Sequence, residues 1–281
     1  FSGTYQHPVL VWTKGENGRP TPAWKLLKDL KPGDWLIVQQ STPFDPPRPY
    51  RIDHPLAEEM TEGLAFILGA LISEGYICEG RVGFNNTDPE FVEIFEREIQ
   101  KLIGHRYYRS IRPLPSGKKL IEVQIHLREF ISLMEKLGLN GRSDQGRIPR
   151  AILASPRSIQ KVFLKALFEG DGTVSKGKGT IYLSYSSRSR KLLEDLQILL
   201  LSFGIISRIH PDGNGWRLII SGASNILTFA REIGFAGRKD GKLKQLIEEV
   251  GLKGRGLSKT DFIPFLADYL RERYRGRGRN E

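Results

Sequence analysis

Two short stretches of this sequence decide the fold. Residues 164–172 read LKALFEGDG and residues 68–75 read LGALISEG, so in each case small and aliphatic residues lead into an acid that a glycine follows. The acids, Glu74 and Asp171, stand 97 positions apart. Glycine on a contact face lets two backbones approach closely. We predict two copies of one helix that pack side by side, each with a left-handed glycine cap after its acid.

A second pair of stretches repeats at nearly the same distance. Residues 137–142, LGLNGR, match residues 233–238, IGFAGR, at an offset of 96. Hydrophobic periodicity predicts the order helix, strands, helix, strands, helix in both halves. Helices are expected over residues 60–75, 89–103, 129–137, 155–170, 191–203 and 224–233, and strands over residues 81–86, 105–112, 120–127, 180–186, 206–210 and 216–221. Two signals with one period indicate a duplicated α+β fold, the single-chain form of a symmetric dimer.

Serine and proline mark further boundaries. Ser155 and Pro156 are expected to supply the N-cap and the first-turn proline of a helix. Five prolines between residues 41 and 56 are incompatible with a helix interior, so we predict a stiff linker there. The residues before the linker are predicted to form short strands and turns, because apolar runs at 9–12 and 35–38 are separated by turn residues.

The composition narrows the class of protein. The chain has 281 residues, and 43 Lys and Arg against 32 Asp and Glu leave a net charge of +11. This charge favours a polyanionic partner and leaves a ribosomal protein, a nuclease and a membrane-surface protein open. The longest apolar run, residues 64–72, is far shorter than the roughly 20 residues of a membrane-spanning helix. The single cysteine, Cys78, excludes an intramolecular disulfide and a cysteine zinc cluster. The chain opens without Met or a secretory signal, and we expect it to be a segment of a longer protein.

The two repeat-matched acids suggest a metal site. If the helices pack side by side, Glu74 and Asp171 lie together at two helix C-termini, where helix dipole and mutual repulsion disfavour both charges. A divalent cation reverses this balance, and oxygen ligands near phosphate favour Mg²⁺. We therefore predict two or more Mg²⁺ ions at Glu74 and Asp171, with Ser73 and Gly170 as further ligands. The alternative is two ordinary solvated acids at helix ends.

Residues 67–75 and 164–172 resemble the two copies of the LAGLIDADG motif of homing endonucleases. The second stretch is close to the family form, whereas the first carries Glu74 in place of the usual Asp. The resemblance covers about residues 56–250. It implies two αββαββα halves whose sheets form a saddle over the DNA major groove. It also implies a monomeric, intracellular, Mg²⁺-dependent enzyme that cuts both strands of a long, specific duplex target and leaves 3′ overhangs.

The family also places a basic residue near the metal ions. In intein-type members it precedes an Ile-Pro pair, which puts Arg147 in this position, and Lys242 is its repeat mate at an offset of 95. A guanidinium stabilises phosphate charge but does not readily deprotonate water. We predict electrostatic catalytic roles for both residues. Contact with the DNA backbone alone is the alternative.

Polar alternation in the predicted strands suggests a DNA-reading surface. Glutamine suits adenine and glutamate suits cytosine in the major groove. A solvated sheet face is the alternative. The residues predicted to bind DNA are Arg81, Asn85, Arg106, Tyr108, Arg112, Lys118, Lys119, Gln124, His126, Lys176, Lys178, Tyr182, Ser184, Arg208, His210 and Arg217.

The N-terminal residues resemble part of an intein splicing (Hint) domain. Thr4 and His7 match its Thr-x-x-His block, and residues 24–38 are similar to the block that follows. In inteins the matching threonine and histidine activate the N-terminal scissile bond. The sequence starts at Phe1, without the Cys or Ser splicing nucleophile that inteins carry ahead of this block, and it lacks a C-terminal His-Asn pair. We expect that it does not splice and that Thr4 and His7 are vestigial, in either an endonuclease-bearing part of an intein or a free endonuclease.

These expectations divide the chain into five parts. They are a partial all-β Hint segment (1–45), a proline-rich linker (46–56), a first LAGLIDADG repeat (57–153), a second repeat (154–250) and a basic C-terminal extension (251–281). The extension either adds contacts to DNA phosphates or is a solvated tail without a function. Residues 260–274 are a candidate terminal helix. The leading hypothesis is a site-specific DNA endonuclease. A non-cleaving DNA- or RNA-binding regulator or maturase and a protein-splicing element are the alternatives.

Overall fold

The computed structural model describes residues 3–39, 45–78, 80–139, 146–252 and 262–275. Two compact units divide the chain, one formed from residues 1–39 with 257–281 and the other from residues 40–256. Within the described residues, no helix combines the length and the apolar composition needed to cross a bilayer.

The smaller unit contains a three-stranded antiparallel sheet. Its strands are β1 (Pro8–Lys14), β2 (Pro20–Leu26) and β3 (Trp35–Leu36), in the order β2-β1-β3. Alternation along β1 places Val9 and Val11 on a buried side of this sheet. Short strands and turns are thus present here, as predicted for this part of the chain, while residues 40–44 lie outside the described residues.

The larger unit opens with a hairpin of β4 (Arg51–His54) and β5 (Ala57–Glu59). Most of this segment falls within the predicted linker, residues 46–56. A strand forms instead because Ile52, which is 3% exposed, packs into the hydrophobic core. The hairpin is also tied down by hydrogen bonds, since Tyr50 N donates to Ser155 Oγ and Met60 N donates to Tyr50 O. The described prolines of this segment lie outside both strands.

The first half of the duplicated fold follows directly. Its elements are α1 (Glu62–Glu74), β6 (Gly75–Cys78), β7 (Arg81–Asn86), α2 (Pro89–Ile103), β8 (Tyr108–Pro113), β9 (Lys119–Ile125) and α3 (Arg128–Lys136). The strands form an antiparallel sheet in the order β6-β7-β9-β8. Thr61 Oγ1 accepts from Leu64 N at the start of α1, and Asp88 caps α2 ahead of Pro89.

The second half repeats the first. A short helix, α4 (Arg150–Leu153), leads into α5 (Arg157–Asp171), β10 (Gly172–Gly177), β11 (Thr180–Ser187), α6 (Arg190–Ser202), β12 (Ser207–Asp212), β13 (Gly215–Ile220) and α7 (Ala223–Glu232). A further helix, α8 (Arg238–Val250), follows. The sheet order β10-β11-β13-β12 matches that of the first half. The predicted duplicated α+β fold is confirmed, although the sequence analysis missed β6, β10, α4 and α8.

The helix pair at the centre depends on glycine. Every residue of α1 from Leu64 to Leu71 is buried. A Cβ at Gly69 would collide with the carbonyl oxygen of Phe163, and a Cβ at Gly170 would collide with the Ser73 side chain. The predicted close approach of α1 and α5 through small residues is therefore confirmed.

The start of α5 differs from the prediction. Ser155 is fully buried, and its hydroxyl donates to Ala151 O at 2.6 Å while accepting from Tyr50 N. Pro156 takes the N-cap position, and no side chain among the described residues caps the helix there. The predicted serine N-cap is wrong because the hydroxyl ties the β4-β5 hairpin to α4.

The C-terminal segment belongs to the smaller unit. It contains α9 (Leu266–Arg273), within the predicted terminal helix. Phe262 packs edge-on against Trp35 with ring centroids 4.9 Å apart, and Lys14 Nζ lies 5.4 Å from the Phe265 ring centroid. The Arg-Gly residues at the end of the predicted extension, 276–281, lie outside the described residues.

Candidate active site and nucleic-acid interface

Glu74 and Asp171 end the two packed helices, and each is followed by a glycine that opens a strand. Gly75 has φ −95° and ψ 165°, and Gly172 has φ −72° and ψ 148°. Both glycines are extended, so the predicted left-handed cap is wrong. Glycine is required for a different reason, since a Cβ at Gly75 would collide with Leu71 O and one at Gly172 with Phe168 O. The acids are thus held at a tight junction between helix and strand.

Burial disfavours the charge of both acids, and repulsion from Asp171 adds to this effect at Glu74. Burial, followed by the negative charge of Asp171, raises the pKa of Glu74 to about 7. Asp171 keeps an exposed surface, but the protein groups around its carboxyl raise its pKa to about 6, chiefly through desolvation. A Cβ at Gly170, the residue before Asp171, would lie 3.0 Å from Glu74 Cγ, so the two helix ends meet where the acids stand.

Each acid has a hydrogen-bond donor from its own half. Asn86 Nδ2 donates to Glu74 Oε1 at 3.0 Å, and the hydroxyl of Tyr185 donates to Asp171 Oδ2 at 3.4 Å. Tyr185 is 1% exposed, and this burial raises its pKa well above the ordinary value. These contacts fix the orientation of both carboxyls and leave other carboxyl oxygens available to a ligand.

Lys239 is the cation beside the two acids. Its ammonium group donates to the carbonyl oxygens of Glu169 and Gly170 at the end of α5, the second at 2.6 Å. A cation is favourable at a helix C-terminus because the dipole places negative potential there. The charge of Lys239 opposes the rise in pKa at both Glu74 and Asp171, whereas its own pKa is lowered by burial.

Within the described part of the chain, the two basic residues predicted for this position, Arg147 and Lys242, form no hydrogen bond or ion pair with either acid. Arg147 makes a bidentate ion pair with Asp195 of α6. Its Nε donates to Oδ2 at 2.7 Å and its Nη2 donates to Oδ1 at 2.8 Å. Lys242 is exposed on α8. Lys239 is the cation whose charge acts on both acids in this structure, while the catalytic roles of Arg147 and Lys242 stay predictions. A signal for Lys239 was present, because it directly follows the second copy of the repeated Gly-Arg stretch.

A polar cavity of about 180 Å³ opens beside Glu74. Glu169 is 2% exposed there, and its Oε2 accepts from Gly237 N at 2.8 Å. Asp88 Oδ2 is buried without a hydrogen-bond partner among the described residues, although Arg238 Nε lies 3.5 Å from it. The acids and lysine therefore stand next to a space lined by further polar groups rather than by apolar core.

The donor set at the helix ends fits a cation that takes few protein ligands. Glu74 and Asp171 supply carboxylates, and Gly170 O keeps one lone pair beyond its bond from Lys239. The Ser73 hydroxyl donates to Gly69 O and Ala70 O at 3.1 Å. Within the described parts of the chain, no three His, Cys, Asp or Glu residues form a cation cluster. Mg²⁺ commonly binds through one or two carboxylates and completes its shell with water and phosphate.

The first sheet presents one polar face. Ile121, Val123 and Ile125 are buried, so the alternate residues of β9 face away from the core. The register pairs Gln124 with Tyr108 and Gly83. The residues that share this face by register are Tyr76, Cys78, Arg81, Gly83, Asn85, Tyr108, Ser110, Arg112, Leu120, Glu122 and Gln124.

The second sheet has an equivalent face. Ile181, Leu183 and Tyr185 point into the core. The register pairs Ser184 with Thr173 and Ile219. The residues that share the opposite face are Thr173, Ser175, Tyr182, Ser184, Ser186, Arg208, His210, Asp212, Arg217 and Ile219.

Some residues predicted to bind DNA do not share these faces. Lys176 lies two residues after buried Val174 in β10, so it is on the core side of the second sheet rather than on its polar face. Its Nζ pairs with Glu249 Oε2 at 2.8 Å. Lys119 is in phase with Ile121. Arg106 precedes β8 and donates from Nε to Ile103 O at 2.8 Å. The alternation of side chains along a strand excludes Lys176 and Lys119 from the polar faces.

The remaining predicted residues lie at strand ends or in the smaller unit. Lys118 and Lys178 are in the connections before β9 and after β10, and His126 follows β9 with its ring edge-on to Tyr108 at 5.5 Å. Thr4 and His7 are exposed in a turn, where His7 N donates to Thr4 O at 2.9 Å.

Comparison with known proteins finds a family match within the second half. Residues 158–234 match the family model for the LAGLIDADG-like domain. The chain is 34% identical over 278 residues to a DNA gyrase subunit of Mycolicibacterium flavescens, a match that covers 96% of this chain and 48% of that protein. It therefore spans about half the length of this curated relative. It is also 28% identical over 284 residues to the Replication factor C small subunit of Methanocaldococcus jannaschii, which covers 96% of this chain and 14% of that protein.

A solved structure is similar to part of the chain. It is the homing endonuclease I-WcaI bound to its DNA recognition sequence. The two share 14% sequence identity with a TM-score of 0.48, and the match covers 62% of this chain and 81% of that chain.

Proposed function

We propose that this chain is a site-specific double-strand DNA endonuclease of the LAGLIDADG homing type. The observation that supports it most strongly is the acid pair. Two carboxyls from separate helices lie beside one half-buried lysine, where the pKa of Glu74 is raised to about 7 and that of Asp171 to about 6, chiefly by burial. A fold does not need such an arrangement for stability, and perturbed acids of this kind concentrate at catalytic sites.

The paired acids would hold divalent cations, with Mg²⁺ as the expected ion. A bound divalent cation supplies Lewis-acid stabilisation of the scissile phosphate. Glu74 and Asp171 position the cations, and Asn86 and Tyr185 hold the two carboxyls in place. Lys239 stabilises the negative charge that develops on phosphate oxygen during cleavage.

The two sheets would carry the duplex on either side of the acids. Each half contributes one helix end and one polar face, so the pseudo-two-fold relation of the halves matches the near-symmetry of two DNA strands. A net charge of +11 supports binding through phosphate neutralisation. We infer a monomer that acts on DNA inside the cell, with one phosphodiester cut in each strand.

The comparisons support an intein origin. One segment of this length matches proteins named for two different functions, a gyrase and a replication factor, and in both it accounts for half or less of the protein. An element inserted into unrelated host proteins produces this pattern, whereas a domain of either host function does not. Thr4 and His7 would then be remnants of a Hint splicing segment that begins the chain.

The test is selection of cleaved sites from a randomised duplex library in the presence of Mg²⁺. We expect one defined double-strand cut site for the wild-type chain. Glu74→Gln and Asp171→Asn should bind the same duplex and leave it intact, while the matched control Glu248→Gln, an exposed acid on α8, should cut normally. Defined binding without Mg²⁺-dependent cutting by the wild type would instead identify a non-cleaving DNA-binding protein. Equal cutting by wild type and both acid variants would exclude the proposed site.

A further inference from the structure

The polar face of the first sheet carries an acid at its centre. Glu122 lies in β9 between two cross-strand neighbours, Asn85 of β7 and Ser110 of β8. The positive charge of Arg112 helps to lower the pKa of the Glu122 carboxyl. On a surface proposed to bind a polyanion, a fixed negative charge costs affinity unless it meets hydrogen-bond donors on the nucleic acid.

The carboxylate of Glu122 is held in one orientation. Tyr76 OH donates to Oε1 at 2.7 Å, and Ser110 Oγ lies 3.4 Å from Oε2. The Tyr76 ring reaches Glu122 by lying across Gly83, where any Cβ would collide with the ring. The guanidinium of Arg81 lies over the Tyr76 ring, 5.8 Å from the ring centroid. The side chain is therefore preorganised rather than free to turn away from a ligand.

The protonation states keep this pair a fixed acceptor. The hydrogen bond from Tyr76 lowers the pKa of Glu122, and burial raises the pKa of Tyr76 to about 12. Near neutral pH the tyrosine remains a donor to the carboxylate, and the carboxylate accepts hydrogen bonds only. Ser110 contacts Oε2 at only 3.4 Å, so this oxygen can take a shorter bond from an outside donor, in competition with the Gln124 side chain, which also donates to the Glu122 carboxylate.

The major groove offers few donors to such an acceptor. Only the N4 amino group of cytosine and the N6 amino group of adenine donate there. In adenine the acceptor N7 adjoins N6 and would face the second carboxylate oxygen, which is repulsive. In cytosine a carbon occupies the neighbouring position. A phosphate in this place would be repelled outright, so Glu122 has to lie over base edges.

We propose that Glu122, oriented by Tyr76 over Gly83, selects a cytosine in the half-site read by the first sheet. The inference rests on the proposed function, since it assumes that this face enters a major groove. It assigns one position of an unknown target to one side chain.

The test selects duplexes bound by the full chain from a randomised library without divalent cations, so that no duplex is cut. Wild type, Glu122→Gln, Tyr76→Phe and the control Glu93→Gln are compared. Glu93 is an exposed acid on α2, which packs on the buried side of the sheet, so its variant matches the loss of charge. We expect wild type and control to prefer cytosine about tenfold at one position. Glu122→Gln should shift that position to adenine, and Tyr76→Phe should weaken the cytosine preference.

The outcomes separate this inference from the proposed function. If wild type enriches a defined site and Glu122→Gln enriches the same site, with thermal unfolding showing both proteins folded, then Glu122 does not select a base. If Tyr76→Phe keeps the full preference, the orientation by Tyr76 is refuted. If wild type enriches no sequence, the proposed function fails together with the inference. A cytosine-to-adenine shift confined to one position supports both.

Discussion

The ammonium group of Lys239 lies 2.6 Å from the carbonyl oxygen of Gly170, the residue that precedes Asp171. This contact connects the start of α8 to the end of α5 and places one positive charge beside both acids. The first half offers no lysine at the repeat-matched position, because an offset of 96 from Lys239 leads to Ser143, outside the described residues. The site is therefore asymmetric in its basic residue while nearly symmetric in its acids.

The asymmetry predicts a large effect from one lysine. Lys239→Met should reduce single-turnover cleavage by about 100-fold, because it removes charge stabilisation from the transition state. DNA affinity should change by less than about threefold, since the residue makes one of many electrostatic contributions to binding. Lys242→Met is the matched control and should cleave like wild type. Equal losses in the two variants would show that the basic residue of the site is wrongly assigned.

The raised pKa values predict how stability changes with pH. The Glu74 carboxyl has a pKa of about 7 in the folded protein against an ordinary value of 4.5, so between these values the folded chain binds a proton that the unfolded chain lacks. Without metal, the free energy of unfolding should therefore fall as pH rises from about 4.5 to about 7. Urea unfolding at several pH values should show this slope. The slope should be shallower in Glu74→Gln, and an identical slope would contradict the raised pKa.

Metal binding should reverse that trend. Mg²⁺ competes with the protons on Glu74 and Asp171, so it should stabilise the protein more at pH 8 than at pH 5. Calorimetric titration with Mg²⁺ should show proton release near pH 6.5 and stronger binding at higher pH. Stabilisation that is independent of pH, or that is unchanged in the Glu74→Gln/Asp171→Asn variant, would place the cation elsewhere.

The close approach of the helices predicts a severe effect of one methyl group. Gly170→Ala should lower the free energy of unfolding by about 3 kcal/mol, because its Cβ would overlap the Ser73 side chain in the packed pair. Adding Ser73→Gly should recover part of the loss. Gly241→Ala is the control, since nothing lies within 4 Å of a Cβ at this position of α8, and it should be neutral or slightly stabilising. Chemical unfolding measures all three.

The phase of the strands predicts which basic residues bind DNA. Arg208→Ala should weaken binding and reduce the slope of log affinity against log salt by about 1, because Arg208 lies on the polar face of the second sheet. Lys176→Ala should change neither quantity, since its ammonium is paired with Glu249 on the other side. Fluorescence anisotropy at several salt concentrations distinguishes the two. A matching loss in Lys176→Ala would refute the assignment of faces.

Much of this architecture could be predicted from local signals. Periodicity defines α2, where Phe91, Phe95 and Ile99 recur on one buried stripe, and strict alternation defines β9. The 97-residue spacing of Glu74 and Asp171 revealed the duplication and, with it, the meeting of the two acids. These features were readable because each depends on residues that are close in sequence or repeated at one distance.

Other features depend on contacts between distant residues. Residues 75–78 form β6 only by pairing with β7, and their short run carries no alternation of its own. Ser155 is a second example, because its hydroxyl accepts a hydrogen bond from Tyr50 N, 105 positions earlier in the sequence.

The sequence by itself determined the duplication, the α+β class and the pair of acids at matched helix ends. Tertiary structure alone decided which cation stands beside them. Lys239 reaches Gly170 across 69 positions because α7 and the turn after it return the chain to the end of α5. Arg147, close to an Ile-Pro pair that suggested catalysis, is instead held by Asp195, which is 8% exposed and would otherwise lack its counter-charge. The charged residues and their spacing can be read from the sequence. The partner of each charged residue depends on which elements pack against each other in the folded protein.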